Sequence, residues 1–532
     1  MSDTSQSPAS ATNDSLEDSA SLTPTLQGEH TLKLVDVPVQ CNFEQPYSND
    51  TVLIVDWDGP NDSQNPKNWS ANRKWAATLI VASFSFMSPV SSSMIAPATG
   101  QVASTFGIDN DAINALTTSI FVLAYAFGPL FVGPMSEIYG RSRVLQLSNL
   151  WYLAWNLACG FAQTESQLLA FRFLAGLGGS APLSIGGGVL GDCWRPEERG
   201  RALALYSLAP MLGAGIGPLT GAWIAERSTW RWVFWSTSII DAAVQILGVF
   251  LLQETYAPLL LERKAERIRR SMDAEKAPYR EIRTVFDGQD RSWQTIMGKA
   301  LVRPFALFFR EPIVQILGVY MAYLYGTHYR KSFLFSSTSV FLTTIPSIFQ
   351  GVYQQPVGIA GLHYIALGAG LMVAAQVNAR TLDKVYVYFK NKNGGVGKPE
   401  FRLLAMFPGT LLLPIGCLIA GWTAQARTHW IFPDIGILLV GAGSFISFQC
   451  IQAYVVDCFT LHAASALAAV CCLRSLAGFG FPLFAPAMYG ALGFGKGDTI
   501  LAAVAIVIGC PAPWIFWYYG ERIRNGSRYA QS

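Results

Sequence analysis

Charge is what this sequence has least of. Only 14% of its residues are Asp, Glu, Lys or Arg, where a soluble globular chain carries roughly 25%. Hydrophobic residues make up 51%, and the mean hydropathy is +0.31. In a chain of 532 residues, this balance fits a lipid solvent better than a large dry core. The net charge of +3 is too small to suggest nucleic acid. The N-terminus is polar and acidic and lacks a basic-then-apolar signal, so no cleaved signal peptide is expected. No G-x-x-x-x-G-K-[ST] phosphate loop occurs, which argues against an ATPase. The nine cysteines follow no pairing pattern. Cys159, Cys417, Cys450 and Cys510 sit inside apolar runs and read as small hydrophobes. The five histidines (His30, His328, His363, His429, His462) are scattered. A membrane-embedded transferase would need His, Asp or Glu clustered at one membrane face, so no enzyme, metal or cofactor is expected.

What the chain does have is long apolar runs. Six lie at about 75–97, 113–135, 145–163, 168–190, 203–225 and 231–252. Six more lie at about 312–349, 357–379, 403–423, 435–456, 465–490 and 499–519. Each is near or above the roughly 20 residues that a spanning helix needs. The expected organisation is a disordered cytoplasmic tail (1–72), a six-helix half (73–252) and a cytoplasmic linker (253–311). A second six-helix half (312–520) and a short cytoplasmic tail (521–532) follow. The linker is densest in charge at LERKAERIRRSMD. Lys and Arg fall almost entirely on loops of one side, with Arg227, Arg427 and Lys496 the main exceptions. By the positive-inside rule both termini are expected in the cytoplasm.

Three motifs follow in order. The turn between the second and third runs reads GPMSEIYGRSR, Gly133 to Arg143. Gly133 and Gly140 permit close approach or a sharp turn, and Glu137, Arg141 and Arg143 can pair with neighbouring helix ends. The fourth run contains LLAFRFLAGLGGS, with Arg172 inside a span. Such an arginine should face the bundle interior and find a partner there. The fifth run contains GAGIGPLTG. Gly213, Gly217 and Gly221 recur every four residues along one face, with Pro218 beside them, so this face allows close helix packing.

The first motif resembles the loop that marks the major facilitator superfamily of transporters. The second matches that family's L-x-x-R-x-x-x-G, and the third is similar to its antiporter motif. Together with the DWDGPNDSQNPKNWS lead-in (Asp56 to Ser70) and the TYAP after Glu254, the set resembles fungal drug:proton antiporters with twelve spans. The resemblance implies an all-α membrane protein of the major facilitator fold, with twelve transmembrane helices in two six-helix halves. It further implies a cytoplasmic gate of Gly133, Glu137, Gly140, Arg141, Arg143 and Asp192. Asp383 and Asp457 of the second half would complete that gate. In the second half, NARTLDKVY in the loop after the eighth span repeats the first loop, with Arg380 and Asp383 in comparable roles. Arg172 would contribute to proton coupling.

A proton-coupled exporter also needs a buried carboxyl that titrates. Asp241, mid-way along the sixth run, is the clearest candidate. The substrate cavity between the halves would draw on Phe84, Phe86, Tyr320, Tyr323, Gln376, Asn378, Gln449, Gln452 and Tyr454. The 312–349 region is too long for one helix and carries Arg330 and Lys331 near its middle. We expect an insertion there, about residues 327–341, that breaks or loops the seventh span.

The implied function is proton-coupled export of small amphipathic organic molecules such as drugs, toxins or secondary metabolites. The alternative is a proton-coupled uptake carrier for a nutrient such as a sugar or polyamine, which the glycine face argues against. The expected partners are a small-molecule substrate, protons and the lipid bilayer, with no nucleic acid. A monomer is expected in the cell membrane, with a vacuolar or vesicle membrane as the alternative.

Overall fold

Leu147, Ile239, Phe250 and Val507 are between 64% and 74% exposed, while Asn149, Asp241 and Gln245 on the same helices as the first three are buried. This distribution is the reverse of a water-soluble fold and is the one a hydrocarbon solvent selects. The computed structural model describes residues 52–195, 198–275, 281–286, 309–325, 347–459, 463–480 and 485–525. It also describes four single positions between 298 and 345.

The first half comprises α1 (Ala71–Ser93), α2 (Thr99–Phe106), α3 (Asp111–Tyr139) and α4 (Arg141–Cys159). It continues with α5 (Glu165–Gly179), α6 (Ala181–Cys193), α7 (Arg199–Arg227) and α8 (Arg231–Leu251). A charged helix, α9 (Ala257–Glu275), follows. The second half comprises α10 (Pro312–Tyr325), α11 (Val357–Leu362), α12 (Tyr364–Lys392), α13 (Phe407–Gln425) and α14 (Ile431–Cys458). Then come α15 (Ala463–Gly480), α16 (Ala485–Val504) and α17 (Pro511–Asn525).

Among the described residues, nine helical segments are long and apolar enough to cross a membrane. Several join two helices end to end, as α5 and α6 do over Glu165–Cys193. The other three of the twelve expected spans fall on α4, α10 and α15. Helix α4 has 19 residues but carries Asn149 and Asn156 on its buried face, which lowers its hydropathy. Helix α10 has 14 residues and stops where the described chain stops. The expected insertion at 327–341 lies outside the described residues. So does the side chain of Tyr323.

The buried apolar residues divide between the halves. One cluster is drawn from Val314 to Phe516; the others are drawn from Trp69 to Leu252. The halves meet along two seams, α7 with α11 and α12, and α3 with α15. At the first seam Gly215 faces Gly368, where a Cβ on Gly215 would lie 3.4 Å from the Gly368 Cα.

Helix α7 also packs along α1 within its own half. The glycine face seen in the sequence makes this contact. A Cβ on Gly217 would lie 2.8 Å from the Val90 carbonyl oxygen, and one on Gly221 would lie 2.9 Å from the Met94 carbonyl carbon. A Cβ on Gly213 would lie 2.5 Å from the Phe86 carbonyl oxygen. All three obstacles are backbone and cannot rotate away.

Residues 52–70 correct the expected tail. They are ordered, and the strand β1 (Val52–Val55) pairs in parallel with β2 (Glu281–Thr284) of the linker. The turn-forming residues find partners in the chain rather than in water. Asp62 accepts the backbone N–H groups of Asp58 (3.0 Å) and Gln64 (2.8 Å). Asn65 caps the short turn at Pro66, and Asn68 donates to Pro60 O at 2.7 Å. Lys264 of α9 pairs with Asp58 at 2.6 Å, so the lead-in is docked on the linker helix.

Replacing Gly217 with Ala should lower the thermal stability of the purified chain, since overpacking against fixed backbone costs about 1–3 kcal/mol. Gly133→Ala is the control, because nothing lies within 4 Å of a Cβ there. A thermal melt in detergent should show a lowered midpoint for the first variant and an unchanged one for the second.

Candidate functional site

Helix α3 ends at Tyr139 and α4 begins at Arg141, so a single residue makes the turn. Gly140 there has φ +99°, a conformation that side-chain-bearing residues rarely adopt. This sharp turn aims the first N–H of α4 at Glu254, whose Oε1 accepts it at 2.9 Å. The same oxygen accepts the N–H groups of Thr255 and Tyr256, each at 3.0 Å. The Arg141 side chain turns the other way. Its Nη1 donates to Ser136 Oγ at 2.7 Å, and its Nε pairs with Asp192 Oδ2 at 3.4 Å. Its guanidinium lies 4.8 Å from the Tyr256 ring centre. Arg141 and Asp192 therefore tie the start of α4 to the end of α6. Glu137 and Arg143 are exposed, and neither joins this cluster.

The second half carries a counterpart. Arg402, in the short turn before α13, pairs with Asp383 of α12 and Asp457 of α14, each at 2.7 Å. Arg380, which the sequence likeness sets beside Asp383, is exposed; the ion pair to Asp383 comes from Arg402. Beside it Arg524 pairs with the buried Glu400 at 3.1 Å, and Lys398 pairs with Glu521 at 2.6 Å. Among the described residues, every ion pair of these clusters closes within one half.

Arg172 is fully buried on α5. Its partners are backbone carbonyls: Ser92 at 3.1 Å, Thr118 at 3.4 Å and Ser91 at 3.5 Å. Ser91 and Ser92 stand in the last turn of α1, where carbonyls lack helical partners and the helix dipole is negative. The rings of Phe121 and Phe234 flank the guanidinium at 5.4 and 5.5 Å. Asp241 is also fully buried, on α8. Asn149 of α4 donates to its Oδ2 at 3.0 Å, and its Oδ1 has no protein partner. The two expected proton-coupling residues are thus not in contact. A line of polar groups runs between them. Ser91 Oγ donates to Asn156 at 2.8 Å, and Asn156 donates to Thr237 and Ser238 of α8, each at 2.9 Å. Two turns along α4, Asn149 holds Asp241 and Gln245.

The cavity residues separate. Phe84 is buried against Gly248 and the first-half core. Tyr454 is buried against Phe516 of α17. Tyr320 and Asn378 are likewise buried within the second half. All four are packed among residues of their own half. Phe86, Gln449 and Gln452 are half-buried and Gln376 is exposed.

Sequence reasoning missed four features. Glu254 was legible beside TYAP, since a carboxylate at a span end can accept free N–H groups. Arg474, mid-way along α15, was legible by the same argument as Arg172. Arg402 was passed over as one of many loop cations. The fourth could not be read from one sequence. His363 pairs through Nδ1 with Asp434 at 2.8 Å and through Nε2 with Gln355 at 2.8 Å. Its ring stacks on Phe349 at 3.4 Å between centres, and only folding brings these residues together. Among the described residues, no group of three His, Cys, Asp or Glu side chains could hold a metal ion.

Comparison with known proteins fits this architecture. The family model of the Major Facilitator Superfamily matches residues 81–482. The chain is 46% identical over 477 residues to the efflux pump vrtL of Penicillium aethiopicum, covering 90% of this chain and 91% of that protein. It is 40% identical over 476 residues to the MFS-type transporter penM of Penicillium rubens, covering 90% of each. Among solved structures, the partially occluded inward-open xylose transporter XylE from E. coli superposes with TM-score 0.60 at 13% identity. That superposition covers 84% of this chain and 98% of the other. A bacterial homolog of the human lysosomal transporter Spinster, inward-facing and unoccupied, gives TM-score 0.60 at 13% identity, over 87% and 100%. These two show the fold alone, a multi-span membrane transporter fold. The chain belongs to the major facilitator superfamily.

Proposed function

We propose that this chain is an efflux transporter that moves small amphipathic organic molecules across a membrane in exchange for protons. The observation that carries the export reading is the likeness to vrtL, named an efflux pump, over 90% of this chain. The glycine face of α7, closed on the backbone of α1, supports the antiporter mode through its resemblance to the antiporter motif. The xylose transporter likeness is one of fold at 13% identity, and it lends the uptake alternative no specific support.

The mechanism we propose is alternating access, with the two six-helix halves rocking around a midplane site. Arg141 with Asp192, and Arg402 with Asp383 and Asp457, act as the cytoplasmic gate. Asp241 takes up and releases the proton. Arg172 holds the end of α1 and passes the change of charge along the Asn156 and Asn149 line. We further propose twelve spans, both termini in the cytoplasm, a monomer, and residence in the cell membrane.

Cells expressing the chain should extrude a fluorescent amphipathic dye, and the extrusion should collapse with a proton uncoupler and in Arg172→Ala. Dye accumulation, or extrusion indifferent to the uncoupler, would favour uptake. Asp241→Asn keeps the side-chain shape and should reduce uncoupler-sensitive extrusion by at least about ten-fold at normal surface levels. An unchanged rate assigns the proton to another group. Arg402→Ala leaves two acidic groups facing each other and should lower both the melting midpoint and the extrusion rate. Adding Asp457→Asn should restore part of the loss, because residues in one ion-pair network couple by roughly 0.5–3 kcal/mol. Additive losses in the double variant would show that the cluster does not act as a unit.

A further inference from the structure

A cavity of about 350 Å³ lies where the lead-in meets the helix ends of the first half. This is the lower end of the range for small-molecule sites, about 300–1,000 Å³. Its charged lining comes from three places in the chain. Lys67 belongs to the short turn before α1, and Lys74 to the start of α1 itself. Arg195 and Glu198 belong to the connection from α6 to α7. Three cations therefore share the cavity with one carboxylate, and the amides of Asn61 and Asn68 line it too.

The cations are only partly matched. Lys74 is 6% exposed, with its ammonium 5.3 Å from the centre of the Trp194 ring. Its ion pair with Glu198 is 3.6 Å long, beyond the roughly 2.7–2.9 Å of a direct charge-assisted hydrogen bond. A buried ammonium held this loosely leaves room for a second anion beside it. Arg195 spends one Nη2 donor on Asn68 Oδ1 at 3.0 Å. Lys67 is exposed and makes no ion pair among the described residues. The walls are fixed. Asn68 Nδ2 donates to the carbonyls of Pro60 at 2.7 Å and Asp62 at 3.1 Å, and Trp194 donates to Thr78 Oγ1 at 2.9 Å. Helices α1 and α7 both start here, and no side-chain hydrogen bond caps either start. A helix start favours negative charge, yet the chain sets three cations around these two.

We infer that this cavity binds a phosphate monoester, held by Lys67, Lys74 and Arg195, with Glu198 limiting its affinity. Such a group carries a charge of about −1.5 to −2 and three strong acceptor oxygens. It matches cations that converge from separate elements, and it supplies the negative charge that the two helix starts lack. Arg195 lies three residues beyond Asp192, so the cavity sits at the same end of the bundle as the Arg141–Asp192 pair. Helix ends lie at the membrane surface, where anionic headgroups gather cations. A phosphorylated inositol lipid and a free sugar phosphate share this chemistry. The site is separate from the seams between the halves and needs no transport reading.

The test follows the melting midpoint of the purified full-length chain in detergent, since a ligand that binds only the folded state raises it. Three probes are titrated: short-chain phosphatidylinositol phosphate, its deacylated headgroup, and short-chain phosphatidylcholine. The phosphatidylinositol phosphate or its headgroup should raise the midpoint, and phosphatidylcholine, a phosphodiester with its own cation, should not. A rise with the lipid alone assigns the site to the membrane. An equal rise with the headgroup assigns it to a free phosphoester. K67E, at an exposed position that keeps the fold, should weaken the apparent affinity at least about ten-fold. E198Q should tighten it. K392E makes the same charge change at an exposed position of α12 and should leave the affinity as it is. The site is overturned by no rise with either phosphoinositide probe, or by an equal rise with phosphatidylcholine. It is also overturned by an affinity unmoved by K67E or by E198Q, or by K392E acting as strongly as K67E. No transport is measured, so success or failure of the export assay leaves this result standing.

Discussion

Hydrocarbon offers no hydrogen bonds, so every polar group inside the spans must be satisfied by the protein itself. The rest of this structure depends on that constraint. It explains why α8 turns Ile239, Ile240, Leu247 and Phe250 outward and Thr237, Ser238, Asp241 and Gln245 inward. It explains why α4 can span with two buried asparagines, each bonded to α8. It also explains why Arg172 sits where α1 ends, since the last turn of a helix has carbonyls to spare. Groups that would break a soluble core here select helix neighbours.

The two halves solve the same problem at one end of the bundle with different residues. In the first, an arginine at the start of a span reaches one aspartate at the end of a later span. In the second, an arginine just before a span reaches two aspartates on the helices flanking it. The repetition is of geometry, with a cation set between acidic helix ends, rather than of letters. That is why NARTLDKVY pointed to Arg380 while folding chose Arg402, 22 positions further along the chain. The first half also uses Glu254 as an acceptor for three backbone N–H groups, one of them the Arg141 N–H that the single-glycine turn leaves at the start of α4.

The class of fold, the helices and the glycine face were legible in the sequence because each is a local pattern. Spans show as runs, Gly213, Gly217 and Gly221 show as a period of four, and Gly140 shows as a turn. Partnerships were less legible. Arg172 announced that it needed a partner, and carbonyls of α1 rather than a carboxylate answered. His363 and Asp434 gave no sign of each other across 71 positions. Aromatic residues were the least informative, because Phe84 and Tyr454 carry the same letters whether they line a cavity or fill a core. The ordered lead-in of residues 52–70 was hidden for a related reason. Its polar composition matches a solvated tail, while its side chains are consumed by turns and by Lys264.

Helix α1 is clamped from two sides. Between Phe86 and Met94, its carbonyls are claimed alternately from two sides. Those of Phe86, Val90 and Met94 abut the glycines of α7, and those of Ser91 and Ser92 hold Arg172 of α5. The glycines bring the α7 backbone against that of α1, so the two helices pack with almost nothing between them. The opposite face of α7 is the one that meets α11 and α12 of the other half. Contacts thus run without a break from that seam, through α7 and α1, to the buried guanidinium. The glycines act as gear teeth, and their value lies in removing slack between the seam and the charge.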